Sequence, residues 1–198
     1  MMYKVTIAIS AIFFLLACED KNTNLGDDLY EDEKFEAAIK AYDEYIKLNP
    51  FNVKSIYNRG RCYEELEQFE KAFKNFTKVL EIDKKNTSAF LSLSQYYYRN
   101  GNFSKALFEA EKAIEFNDQL AQGYFWQGRA QHQLGTFSTA LVAYNNAINL
   151  DKDLGEAYLY RGAIKVSMKK LKSACSDFKM ANRLDVKEAR SAMTSYCN

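Results

Sequence analysis

The sequence repeats itself every 34 residues, and this period restricts the possible folds more than any other feature. Stepping by 34 from Phe35 gives Phe69, Phe103, Phe137 and Leu171. The same step from Ala38 gives Ala72, Ala106, Ala140 and Ala174. From Gly26 it gives Gly60, Ser94, Gly128 and Gly162; from Tyr42, Phe76, Ala110, Tyr144 and Phe178; from Tyr45, Val79, Ala113, Ala147 and Ala181. One unit of this length cannot bury its own apolar face, so the copies must stack and share a continuous core.

Within a copy, two stretches carry apolar residues at helical spacing. In the second copy they are IYNRGRCYEEL and EKAFKNFTKVLEI. Only eight glycines and one proline, Pro50, interrupt the chain. Asn100-Gly101 and Leu134-Gly135 fall between the two stretches, where a left-handed residue ends a helix. Asn52, Asn86, Asp118 and Asp153 stand where the next helix begins and are expected as its N-caps. Asn49-Pro50 stops the second helix of the first copy.

These columns resemble the tetratricopeptide repeat (TPR) over about residues 19–188. The resemblance implies an all-α, right-handed helical solenoid of about five helix-turn-helix repeats, near 19–52, 53–86, 87–120, 121–154 and 155–188. Each repeat then has a helix A and a helix B. The small residue of helix A (Gly60, Gly128, Gly162) lets helix B approach, and the Ala column sits at the matching point. The stretch from Lys187 to Asn198 has the length of half a repeat and reads as a capping helix, with the cap proper at 189–198. The first helix A, NTNLGDDLY, is polar and is expected to fray; the third repeat has Ser94 in the Gly column.

The N-terminus follows another pattern. Lys4 precedes an apolar run from Val5 to Ala17, too short to span a bilayer comfortably and suited to a secretory signal. Leu15-Leu16-Ala17-Cys18 resembles the bacterial lipobox. That resemblance implies a signal peptide over 1–17, lipidation of Cys18 and a short linker over 18–24, with the solenoid at 25–198. Two or three acyl chains make a stable anchor, which places the protein in the cell envelope, tethered to a membrane, with the outer membrane favoured. The acidic pair Glu19-Asp20 is a candidate sorting signal.

Removing residues 1–17 leaves 26 basic and 26 acidic residues. A neutral chain lacks the electrostatic footprint of a nucleic-acid binder. Cys62 falls inside a helix A and is expected to be a buried thiol, whereas Cys175 and Cys197 fall on two helices that should pack side by side. In an oxidising compartment they are candidates for a disulfide, with two unpaired thiols as the alternative. The spacing fits no metal site, no cofactor motif is present, and one histidine, His132, is no catalytic constellation. The expected function is therefore binding, not catalysis.

The resemblance assigns the concave groove to helix A. Its groove positions hold Tyr57, Asn58 and Arg61 in the second repeat and Leu91, Gln95 and Arg99 in the third. The fourth supplies Phe125, Trp126, Arg129 and His132, and the fifth Tyr160. Aromatic residues and arginine dominate binding energy at protein interfaces, so an exposed Phe125-Trp126 pair beside Arg129 is the expected anchor. TPR co-chaperones hold a C-terminal carboxylate with Lys, Asn and Arg at set positions; here Ser88 and Ser92 replace two of them, and that clamp is absent. The leading expectation is an adaptor for other envelope proteins. A peptide or small-ligand sensor and a self-assembling structural component are the alternatives.

Overall fold

The structure, a computed structural model, describes residues 21–197; the expected signal peptide 1–17, Cys18 and Glu19-Asp20 lie outside the described residues. Within them the repeats form five antiparallel helix pairs. These are α1 (Lys21–Glu31) with α2 (Phe35–Leu48), α3 (Val53–Glu65) with α4 (Phe69–Ile82), and α5 (Thr87–Arg99) with α6 (Phe103–Phe116). The remaining pairs are α7 (Ala121–Gln133) with α8 (Phe137–Leu150) and α9 (Gly155–Ser167) with α10 (Leu171–Arg183). The last helix, α11 (Lys187–Tyr196), packs on α10 and begins at Lys187, the start of the stretch read as a capping helix. Each helix packs on its neighbours along the chain, as stacked repeats require. Among the described residues no helix is long and apolar enough to cross a membrane.

The periodic columns form the core. Ala38, Ala72, Ala106, Ala140 and Ala174 are all buried, and so are Tyr42, Phe76, Ala110, Tyr144 and Phe178. The Gly column explains the second set. A Cβ on Gly26 would meet the Tyr42 ring at 2.6 Å, one on Gly60 the Phe76 ring at 2.7 Å, one on Gly128 the Tyr144 ring at 2.8 Å, and one on Gly162 the Phe178 ring at 2.6 Å. Each glycine thus faces an aromatic ring 16 residues later, which lies flat where a side chain would stand. The third repeat swaps both members. Ser94 replaces glycine, Ala110 replaces the ring, and the Ser94 hydroxyl donates to the Ala106 carbonyl at 2.8 Å.

The turns follow the same period. Glu33, Glu67, Gly101, Gly135 and Lys169 all adopt positive φ, between 56° and 75°, at the end of helix A. Glycine takes this conformation freely, whereas the three other residues hold it at a cost of roughly 1–2 kcal/mol each. At the other edge Asn52 caps α3 by accepting from the Ser55 amide at 2.9 Å, and Asn86 caps α5 from the Ala89 amide at 3.0 Å. The expected caps Asp118 and Asp153 do not form. Leu120 and Leu154 occupy those cap positions, without a side-chain hydrogen bond. Leu154 is buried in the core, so packing has replaced capping there.

The first repeat departs from expectation. Despite its polar sequence, α1 is an eleven-residue helix that begins inside the stretch read as a linker. Gly26 locks it onto Tyr42, and Asp27 binds Lys54 of α3 at 2.6 Å. At the far end Cys175 and Cys197 are joined in a disulfide that pins α11 to α10. The 22-residue separation corresponds to about 3 kcal/mol of loop-closure entropy removed from the unfolded chain. Cys62 is buried and free, and burial pushes its thiol up to about 12.

Arginines of helix A stitch neighbouring B helices together. Arg59 donates to Asn75 of its own repeat at 2.9 Å and to Asp43 of the preceding one at 2.6 Å. Arg161 grips Asp177 through two bonds, at 3.0 and 2.6 Å, and reaches back to Asn145 at 2.7 Å. Lys165 adds a third bond to Asp177, which is buried.

Urea unfolding of four variants tests these contacts. Gly128→Ala drives a methyl into the Tyr144 ring and should destabilise by about 1–3 kcal/mol, while Gly101→Ala, with open space around it, should cost only the backbone term of ~1 kcal/mol. Asp177→Ala removes the one buried carboxylate shared by two part-buried cations and should cost about 3 kcal/mol, far more than Asp177→Asn.

Candidate partner-binding groove

Helices α1, α3, α5, α7 and α9 stack side by side and carry the residues expected to line the groove. Their ninth positions read Asp27, Arg61, Gln95, Arg129 and Ala163 along the stack. This single column divides the surface into two halves with different chemistry.

The N-terminal half satisfies itself. Asp27 accepts from Tyr42 Oη at 2.6 Å, from Asn58 Nδ2 at 2.9 Å and from Lys54 Nζ at 2.6 Å. Burial alone raises the Asp27 carboxyl; the hydrogen bonds from Lys54, Tyr42 and Asn58 outweigh it and hold the group below its ordinary value of 3.8. Arg61 pairs with Glu64 and with Glu65 on its own helix. Burial opposes the Arg61 charge, but Glu64, Tyr57 and Tyr30 together outweigh it and hold the guanidinium above its ordinary value. Tyr57 meets Ser92 of α5 at 3.3 Å between their hydroxyl oxygens, and its ring packs against Phe76 at 5.4 Å. Two expected groove residues, Asn58 and Arg61, are therefore engaged within the chain. Asp27 joins them although its helix is polar and expected from the sequence to fray. The ninth-position column was the signal that could have found it.

The middle of the stack is transitional. Leu91 and Gln95 are half-buried and Arg99 is exposed. The Arg99 guanidinium lies 3.8 Å from the Phe69 ring centre, a close cation–π contact.

The C-terminal half gathers around Arg129. Its guanidinium lies 3.9 Å from the Tyr160 ring centre, 4.6 Å from Tyr98, 5.4 Å from Trp126 and 5.7 Å from Phe125. It donates to Tyr98 Oη at 3.0 Å, and Gln133 donates to the same oxygen at 3.1 Å. Among the described residues Arg129 makes no ion pair, unlike Arg59, Arg61 and Arg161. The Tyr144 hydroxyl lies buried behind this cluster without a hydrogen-bond partner among the described residues, and burial, only partly offset by Arg129, pushes it above its ordinary range. Tyr160 stacks on Tyr144 with ring centres 6.4 Å apart and is raised in the same way.

One expectation needs correction here. Phe125 is 3% exposed and is a core residue, not an exposed anchor. The fifth position of helix A points partly at its own helix B, and Phe125 packs 6.2 Å from Tyr144 and 6.0 Å from Tyr160. Trp126, one residue on, is half-buried and stands edge-on to Tyr98 at 5.6 Å. His132 lies edge-on against Phe137 at 5.7 Å; burial, helped by the Arg129 charge, lowers it below 6.5, so it is neutral at neutral pH. Among the described residues no three His, Cys, Asp or Glu side chains converge as metal ligands.

The Asp27 network makes a signed prediction. Its folded value lies below the unfolded one, so its stabilising contribution is complete above the ordinary carboxylate value. It is lost as pH falls through the folded value. The Asn58 side-chain amide signal, followed by NMR between about pH 5 and pH 2, should titrate with a midpoint below 3.8 and should not titrate in Asp27→Asn. A midpoint at or above 3.8 would contradict the network.

Comparison with known proteins agrees with this geometry. Residues 53–86 and 91–153 match family models described as tetratricopeptide repeat. No curated protein is significantly similar in sequence. Among solved structures, MamA is similar with 23% identity and a TM-score of 0.70, over 86% of this chain and 93% of that one. YrrB, described as a TPR protein with an unusual peptide-binding site, has 20% identity and a TM-score of 0.68, over 87% and 90%. PilW, a type IV pilus biogenesis factor, has 16% identity and a TM-score of 0.75, over 83% and 76%. At these identities the likeness speaks for the fold. The chain carries tetratricopeptide repeats and folds as a TPR solenoid.

Proposed function

We propose that this protein is a non-catalytic interaction scaffold of the bacterial cell envelope, tethered to a membrane through lipidated Cys18, that holds a segment of a partner protein against the Arg129 cluster. The observation that carries the reading is the state of Arg129: a guanidinium framed by four aromatic rings and lacking a carboxylate partner within the described residues. Every other arginine of the helix A stack that is ion-paired serves the fold. Arg129 and the half-buried Trp126 keep binding capacity that the fold does not use, and such residues dominate interface energies. The solenoid itself supports protein binding, since stacked repeats present an extended surface for this purpose. Its likeness to YrrB and PilW is in keeping with this reading.

The test is affinity co-purification from detergent-solubilised membranes. Wild type is compared with Trp126→Ala/Arg129→Glu, after circular dichroism shows equal helix content. Loss of a hot-spot pair should reduce the recovered partner at least about tenfold. Equal recovery of the same proteins by both would remove the Arg129 face as the site. Binding of a small ligand by the purified protein, lost in the same variant, would instead favour a sensor.

A further inference from the structure

The edge of the solenoid that holds the N-termini of the A helices carries an unusual turn. Between α2 and α3 it reads Leu48-Asn49-Pro50-Phe51, with Leu48 77% and Phe51 72% exposed. The later turns of this edge are polar at their tips: Asp83-Lys84-Lys85, Asn117-Asp118-Gln119 and Asp151-Lys152-Asp153. Leu48 and Phe51 therefore project into solvent at one end of this edge; the later residues in the Leu48 column, Ile82, Phe116 and Leu150, are better covered, and none of the later tips has an apolar residue in place of Phe51.

That end is where the chain enters the fold. Gly26 stands level with Tyr42, and α1 and α2 are antiparallel, so Lys21 stands level with Lys47 and the chain enters beside Leu48. Cys18 precedes Lys21 by three residues, a reach of at most ~10 Å. Whatever holds Cys18 lies within about that distance of the Leu48–Phe51 turn. A second, mixed surface lies on the same two helices: Leu25, Leu29, Ala37 and Ala41, rimmed by Lys40 and Glu44, line an open cleft of about 440 Å³ between α1 and α2.

We propose that the Leu48–Phe51 turn is a membrane-contacting tip, seated in the headgroup–acyl boundary beside the anchor and holding the solenoid with this edge towards the bilayer. The proposal rests on the tethered reading above. It assigns the lipid surface as the occupant because the end of the chain outside the structure leads there, and because Leu48 and Phe51 are the two most exposed large apolar side chains among the described residues and share the turn nearest it. The opposite edge, with Gly101 and Gly135, then faces away, and the Arg129 face stands across the membrane plane.

The experiment uses the full chain as processed by cells, reconstituted into phosphatidylcholine vesicles with brominated acyl chains. Phe51→Trp reports the tip and Phe137→Trp, also exposed, the opposite edge; the native Trp126 signal is subtracted. A ring seated ~5–10 Å into the boundary should lose about half of its emission to bromine, while Phe137→Trp stays unquenched. Vesicle flotation separates the two readings. Protein that fails to float overturns the tether and the tip together. Protein that floats with Phe51→Trp quenched no more than Phe137→Trp overturns the tip alone. A blue-shifted but unquenched Phe51→Trp also overturns it and assigns the turn to a second copy or a protein partner.

Discussion

The fold depends on one close approach, made five times: a residue of helix A that is small enough to let a side chain of helix B lie across it. Four copies use glycine against an aromatic ring 16 residues later. The ring fills the volume that a side chain would occupy, so void and clash are both avoided at native packing density. The third copy reaches the same result with Ser94 and Ala110, where a hydroxyl bonded to the Ala106 carbonyl replaces the ring. Two residues change together because the available volume is shared between them.

From that approach the remaining architecture follows. Antiparallel pairs held at one spacing place every A–B turn on one edge and every B–A turn on the other. They also bring the ninth positions of the A helices into one column, where the chemistry differs by half. Asp27 and Arg61 are neutralised by neighbours, which turns the N-terminal half into structure. Arg129 is surrounded by ring faces, which stabilise a cation without neutralising it. Charge left unneutralised within the described residues, beside half-buried aromatics, is the property on which the proposed recognition surface rests. The same contrast separates the Leu48–Phe51 turn from its polar counterparts along the edge.

Much of this was legible in the sequence. The period, the Gly and Ala columns and the left-handed turns at Gly101 and Gly135 reflect local rules repeated five times, so a single misfit could not hide the pattern. The pairing of Cys175 with Cys197 could be anticipated from helix adjacency. The failures occurred where a tertiary contact overrode a local preference. Asp118 and Asp153 resembled caps, but Leu120 and Leu154 hold those positions because Leu154 gains more from burial than a cap would return. The polar first helix looked weak because its own residues are weak formers, yet Tyr42 and Lys54 hold it from outside.

The sequence by itself determined the number of repeats, their helix pairs and the residues that could face a groove, because these follow from periodicity and side-chain size. Only the tertiary structure decided which of those residues are free to act. Phe125 and Trp126 are adjacent and chemically alike, but one points into the core and the other towards the surface. Arg61 and Arg129 occupy the same column, but Glu64 neutralises the first, and four rings from three helices surround the second. A cation's availability depends on what lies within a few ångströms in space, and that neighbourhood is assembled from residues 31 positions apart on either side.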